Sequence, residues 1–212
     1  MKYVAAVYSA LIWGSGQFIN KQKLKGLIFF LLQVAFISIE LITSGIWKIA
    51  AMLTIESGSF NLGVFFQNLL AQLGDIHNYG FFIKGVWGLI TLGTRPRVQA
   101  AEVYDHSIML MLGGIIAVIT LLIFAAIWIF NIRDAYKTRK LIDSGKEVSS
   151  VQYFKDLWKN SFEYIMISPG LILVLFISLV PIIFAILVAF TNYNANFIPP
   201  RRLVEWRGFE TF

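Results

Sequence analysis

Three long apolar stretches constrain what this chain can fold into. They occupy residues 26–47, 108–130 and 165–190, and the second and third contain no charged residue. An α-helix needs about 20 apolar residues to cross the hydrocarbon core of a bilayer. Backbone groups in lipid must be satisfied internally, so such stretches form helices. The sequence therefore predicts an all-α integral membrane protein with three transmembrane helices.

The composition agrees with this reading. Hydrophobic residues make up 58% of the chain and charged residues only 14%, whereas soluble domains carry about 25% charged residues. This excludes a disordered chain, a basic nucleic-acid-binding tail and most soluble enzymes. The chain has no cysteine, which excludes disulfides, thiolate metal sites and a cysteine nucleophile.

The net charge of +6 is best explained by topology, without a nucleic-acid partner. Lys and Arg accumulate in the cytoplasmic loops of membrane proteins. Residues 1–25 carry four lysines and no acid, and residues 131–164 carry seven Lys or Arg. We therefore expect both segments, and the N-terminus, to lie on the cytoplasmic side of the plasma membrane. Residues 48–107 and 191–212 would then be extracytoplasmic.

The segments between the spans also show patterns. Apolar residues follow a helical period over 62–73, which predicts an amphipathic helix in the outer segment. Residues 81–93 are apolar but too short to span, so we expect a re-entrant or surface-lying piece. A basic amphipathic helix is predicted over 151–162, and it favours the inner membrane surface. Residues 3–19 predict a short interfacial helix, with a signal-peptide core as the alternative.

Three residues inside the spans are structural or functional candidates. Glu40 interrupts the first span, and intramembrane acids are rare and usually functional. The alternative is that Glu40 contacts a partner helix or an outer interfacial group. Gln33 lies two turns away on roughly the same face, which indicates that this face packs on protein. Pro181 removes one backbone hydrogen bond and predicts a kink in the third span.

No catalytic, metal or cofactor site is predicted. His77 lies near Asp75, and His106 is next to Asp105, but two neighbouring residues rarely bind one ion alone. We interpret both pairs as ordinary surface polarity. The chain also has no phosphate-binding loop of the G-x-x-x-x-G-K-[ST] type.

Several motifs carry a resemblance to a known family. From the third span onward they are S-P-G at 168–170, V-P-I at 180–182, A-F-T-N-Y at 189–193 and LVEWRGFETF at 203–212. These resemble the first core helix of ABC-type sugar-importer permeases and their W-x-G-x-x-N-F element, with Thr211 where Asn is usual. Upstream, the matching patches are SGQFINKQKLKG at 15–26, GVWGLITLG at 85–93, DHSI at 105–108 and NIRDA at 131–135. These resemble the MalF-like branch that imports maltodextrin and galacto-oligosaccharides.

The resemblance implies a membrane-spanning subunit that pairs with a second permease. ATPase subunits would bind inside and hydrolyse ATP, and a sugar-binding protein would dock outside. The family's coupling loop and sugar-binding helices are expected downstream of Phe212, so the 212 residues resemble the amino-terminal part of an incomplete permease fold. The alternative is a self-contained three-span scaffold or accessory subunit without transport activity of its own.

Overall fold

A computed structural model describes residues 2–45, 62–97, 104–146 and 148–211. The α-helices in these ranges are α1 (Lys2–Leu11), α2 (Ser15–Ile19), α3 (Lys23–Thr43), α4 (Leu62–Gly74), α5 (Phe81–Thr91), α6 (Ser107–Asp143) and α7 (Ser150–Ala189). Short 3-10 turns occupy Ile76–Asn78 and Gly208–Thr211. The described ranges contain no β-strand, only an isolated bridge between Thr191 and Trp206.

The predicted all-α class with three long apolar helices is confirmed. Helices long and apolar enough to cross a membrane are Lys23–Thr43, Ser107–Asp143 and Trp158–Ala189. Most of their apolar side chains face outward, and Leu171, Ile177 and Ile42 are 63%, 71% and 71% exposed. Soluble monomers rarely expose large apolar patches, so these surfaces are suited to lipid. The chain is a multi-pass membrane protein.

The ends of α3 and α6 differ from the ends of the predicted spans. Helix α3, which corresponds to the first predicted span, begins at Lys23, three residues before that span. Helix α6 continues beyond its apolar stretch to Asp143. Gly145 follows the end of α6 and has a φ of +81°, and Lys146 donates its N–H to the Leu141 carbonyl at 3.1 Å. This is a glycine-terminated C-cap. Residues 46 and 47 of the predicted first span lie outside the described residues.

Helix α7 joins two predicted elements, the amphipathic helix over 151–162 and the third span. The interruption in its torsion angles lies at Ser161 (φ −129°, ψ 18°), where charged sequence gives way to apolar sequence. The torsion angles remain helical at Pro181, and the kink expected there stays a prediction. Val180 and Phe184, on either side of the proline, pack into the core and hold the helix there.

The described residues divide into two compact units. The first contains Met1–Ser38 and Leu122–Val174, and the second contains Ile39–Leu121 and Leu175–Phe212. In the first unit the connection between α1 and α2 contains Gly14, which has a φ of +84°. A Cβ atom there would collide with the Gly26 carbonyl oxygen. Glycine is therefore required at position 14 both for its conformation and for this close approach.

The core of the second unit brings α5, α6 and α7 together with the C-terminal segment. Its buried members are Leu92, Met111, Ile115, Val180 and Val204. The Val204 N–H donates to the Ser107 hydroxyl at 3.0 Å, and the Trp206 indole donates to the Ile90 carbonyl at 2.9 Å. The segment after the third span is therefore folded onto this unit.

Replacing Gly14 by alanine should destabilise the first unit strongly. Gly145→Ala is the matched control, because it also has a positive φ but has no atom within 4 Å of the added Cβ. We expect Gly145→Ala to cost about 1–2 kcal/mol, the usual penalty of a left-handed residue. Gly14→Ala should cost about 3 kcal/mol or more, because a steric collision adds to that penalty. Denaturant unfolding in detergent measures both, and equal losses would contradict the packing role of Gly14.

Candidate functional site

A network of buried polar side chains joins the N-terminal helices of the first unit to α6. The Ser9 hydroxyl donates to the Gln17 amide oxygen at 3.1 Å, and the Gln17 amide donates to the Asn131 carbonyl at 3.0 Å. The Asn131 side chain accepts from the Gly14 N–H at 3.1 Å and donates to the Ser9 carbonyl at 2.8 Å. All three side chains are buried.

An ion pair extends this network toward α3. The Lys25 ammonium lies 2.7 Å from the Asp134 carboxylate, and the two side chains are only 5% and 12% exposed. Gln17 donates to the same carboxylate at 3.2 Å. The Lys25 Nζ also lies 3.6 Å from the centre of the Tyr153 ring. Burial raises the pKa of the Tyr153 hydroxyl, and the negative charge of Asp134 adds to this rise.

The network, hereafter the polar junction, consists of Ser9, Gln17, Lys25, Asn131 and Asp134. A buried polar group is costly unless it is hydrogen-bonded, and a buried charge is costly unless it is paired. The junction satisfies its members only when α2, α3 and α6 meet, so it fixes their mutual arrangement. It unites the motifs at 15–26 and 131–135, which lie more than 100 residues apart in sequence. Sequence reasoning singled out both motifs but had no signal that they touch.

Glu40 lies at the end of α3 and binds the start of α5. Its carboxylate accepts from the Gly80 N–H at 3.0 Å and from the Phe82 N–H at 2.8 Å. The Thr43 hydroxyl accepts from the Phe81 N–H between them at 2.7 Å. The first N–H groups of a helix lack intrahelical partners, and a carboxylate also suits the positive end of the helix dipole. Two residues of α3 therefore cap α5.

Gln33 makes an equivalent contact in the first unit. Its side chain accepts from the Trp13 N–H at 2.9 Å and donates to the Leu11 carbonyl at 3.2 Å, at the turn that follows α1. Gln33 and Glu40 thus both bind backbone groups at helix ends. Pro181 has an exposed side chain and contributes to neither contact.

A second charged cluster, hereafter the outer cluster, consists of Asp75, His77, Arg95 and Asp105. The two ring nitrogens of His77 lie 2.9 Å from Asp75 Oδ1 and 2.8 Å from Asp105 Oδ1. Arg95 lies 3.2 Å from Asp75. The His77 side chain is 9% exposed, so the interpretation of His77 and Asp105 as surface polarity was wrong. His77 and Asp105 are 28 residues apart in sequence, and short motifs do not reveal a contact over that separation.

Hydrogen bonds lower the pKa values of the Asp75 and Asp105 carboxylates. For Asp75 the backbone and side-chain hydrogen bonds from His77 lower the pKa, and Arg95 lowers it further. Burial alone would raise the pKa of Asp105, but the hydrogen bonds that the carboxylate accepts outweigh it, so this pKa is also below its usual value. The donors include the Thr94 and Arg95 N–H groups, at 2.8 and 2.9 Å. Within the described residues, no group of three or more His, Asp or Glu side chains is arranged to hold a metal ion.

The amino-acid sequence of this chain is similar to those of several known proteins. The galactooligosaccharides transport system permease protein GanP of Bacillus subtilis is 32% identical over 209 residues, which are 98% of this chain and 39% of GanP. This chain is a homologue of oligosaccharide permeases. The maltodextrin permease MdxF of B. subtilis is 35% identical over 136 residues, which are 62% of this chain and 29% of MdxF. The maltodextrin permease MalC of Streptococcus pneumoniae is 27% identical over 98% of this chain and 38% of MalC.

The resemblance to maltodextrin and galacto-oligosaccharide permeases is therefore confirmed. The chain spans about two fifths of the length of GanP and MalC, and it matches their amino-terminal part. These relatives are transport proteins and not enzymes. No family model and no solved structure matches this chain.

Breaking the ion pair of the polar junction should be more damaging than removing it entirely. Lys25→Ala leaves the Asp134 carboxylate buried without its cation, which costs about 3–5 kcal/mol. Lys25→Ala with Asp134→Ala removes both charges, so we expect the double variant to be more stable than either single variant. Denaturant unfolding in detergent measures this cycle. Arg139→Gln is the control, because its exposed pair with Asp143 contributes only about 0.3–0.5 kcal/mol.

The outer cluster should make the second unit sensitive to acid. The folded-state pKa of Asp105 lies below the unfolded value of about 3.9. Its stabilisation is therefore complete above that pH and is lost as the pH falls through the folded pKa. We expect Asp105→Asn to be less stable than wild type at pH 7 and to lose less stability on acidification. An unchanged pH dependence of the unfolding midpoint would contradict this role.

Proposed function

We propose that this chain supplies scaffold helices to the membrane-spanning permease subunit of an ATP-driven oligosaccharide importer of the ABC type. The observation that carries the proposal is the similarity to GanP, which extends over 98% of the chain. Two motifs that resemble this family are also joined in the polar junction. The similarity to GanP favours a role in an importer over the alternative of a self-contained scaffold protein.

The geometry supports a scaffolding role for these residues. The polar junction is closed, because its side chains bond to one another and to backbone groups of α1 and α6. Glu40, Thr43 and Gln33 likewise bind backbone groups at helix ends. Groups engaged in this way hold helices in place. We therefore assign Glu40 and Gln33 a structural role in the permease and assign Pro181 no contact role.

The proposed partners follow from the same assignment. An importer of this type contains a second permease subunit, ATPase subunits on the cytoplasmic face and an extracytoplasmic sugar-binding protein. ATP would be hydrolysed by the ATPase subunits. The nonpolar surface of α7, with side chains such as Leu171 and Ile177 exposed, is available to lipid or to a neighbouring permease helix.

We also propose that the N-terminus and the end of α6 are cytoplasmic. Arg133, Lys137 and Lys140 follow the apolar part of α6 and are exposed. Cations near span ends set orientation. The segment after the third span would then be extracytoplasmic.

Co-purification tests the importer proposal. We expect the tagged full-length protein to bring down a second permease subunit and an ATPase when it is extracted in mild detergent from its native membrane. The matched control is the same tag on an unrelated multi-pass protein of that membrane. Isolation as a homo-oligomer without either partner would favour the scaffold alternative.

Cysteine labelling tests the orientation, and the absence of native cysteine makes it direct. Ser144→Cys and Ala195→Cys introduce thiols at exposed positions on the two predicted sides. We expect a membrane-impermeant maleimide to label Ala195→Cys in intact spheroplasts and to label Ser144→Cys only after lysis. The reverse pattern would overturn the orientation.

A further inference from the structure

Three exposed cations form a row on the part of α6 beyond its apolar stretch. Arg133, Lys137 and Lys140 are spaced four and three residues apart and therefore lie on one helix face. All three are exposed, and in the part of the chain that the structure describes none of them forms an ion pair. The nearby carboxylates are already engaged: Asp134 with Lys25 and Asp143 with Arg139. Like charges at this spacing repel one another, so an anion that bound them would stabilise the helix.

A groove lies beside this row. Its volume is about 470 Å³, and its walls contain the three cations together with Ala6, Ile132 and Tyr136. Lys2 extends from α1 to the same place, with its Nζ 5.8 Å from the centre of the Tyr136 ring. The groove thus combines an apolar wall with a cationic rim. This combination suits an amphiphile that carries a negative charge, and a fully hydrated anion would not use the apolar wall.

The position of the groove along α6 indicates which amphiphile it fits. The uncharged apolar stretch of α6 ends at Phe130. At about 1.5 Å per residue, Arg133 lies about 4–5 Å beyond that end and Lys140 about 15 Å beyond it. The lipid headgroup layer is about 5–7 Å thick on each side of the hydrocarbon core. Trp128 marks the boundary, since tryptophan favours this interface.

We propose that this groove binds the phosphate headgroup of an anionic phospholipid of the inner leaflet. Arg133 contacts the phosphate, and Lys137, Lys140 and Lys2 add positive charge at the aqueous rim. Arginine suits this role because its planar guanidinium can donate two parallel hydrogen bonds to phosphate. Ala6 and Ile132 face the upper part of an acyl chain. The assignment of the leaflet rests on the proposed orientation of the permease.

Lipid titration of the full-length protein followed by native mass spectrometry tests the site. Phosphatidylglycerol is the anionic probe, and phosphatidylcholine is the zwitterionic reference. We expect Lys137→Gln with Lys140→Gln to weaken binding of phosphatidylglycerol by roughly 10- to 30-fold, since each cation near an anionic lipid contributes a several-fold factor. Arg201→Gln with Arg202→Gln is the matched control, because it removes two exposed cations of the segment after α7 that do not line the groove.

Lys137→Arg with Lys140→Arg should bind phosphatidylglycerol as wild type does, which separates loss of the site from loss of the fold. Equal affinity of the two Gln double variants for phosphatidylglycerol would overturn the proposal. So would displacement of the lipid by inorganic phosphate alone, because the groove would then be a free-phosphate site. The titration requires no transport, so a negative result together with intact partner co-purification rejects the lipid site and leaves the importer proposal standing.

Discussion

The hydrogen bonds of Asn131 and Gln17 are the interactions on which the first unit depends. Both side chains are completely buried within the first unit. In such surroundings neither amide can exchange its protein partners for water. The amides therefore enforce one arrangement of α2 and α6, and the Lys25–Asp134 pair adds α3 to it. Apolar packing alone would allow these helices to slide, because lipid is as apolar as leucine.

In the second unit, too, side-chain hydrogen bonds fix the position of a helix, here by accepting from backbone N–H groups. Glu40 and Thr43 satisfy the N–H groups at the start of α5, and Asp105 satisfies those of Thr94 and Arg95 just after it. A short helix that cannot span the membrane is thus fixed at both ends by side chains from elsewhere in the chain. These hydrogen bonds give a structural role to the acidic residue inside the apolar stretch. Without the Glu40 carboxylate, the N–H groups of Gly80 and Phe82 would lack these hydrogen-bond acceptors.

Much of this architecture could be predicted from the sequence, because the bilayer imposes a length and a polarity on every span. The three apolar helices and the amphipathic helix over 151–162 follow from that constraint. The contact between His77 and Asp105 could not be predicted, because it joins residues that are 28 positions apart in sequence. The sequence predicted separate elements over 151–162 and 165–190, and the structure joins them in one helix whose torsion angles are interrupted at Ser161.

Oligosaccharide uptake by whole cells tests the central claim, that the polar junction is the framework of a sugar permease. A strain that lacks the gene would be complemented with wild type or with Gln17→Ala and Asn131→Ala together. The account predicts uptake of maltodextrin or galacto-oligosaccharide with the wild-type gene, and strongly reduced uptake with the double variant although the protein still reaches the membrane. Wild-type uptake by the double variant, or uptake that does not depend on the gene, would contradict it.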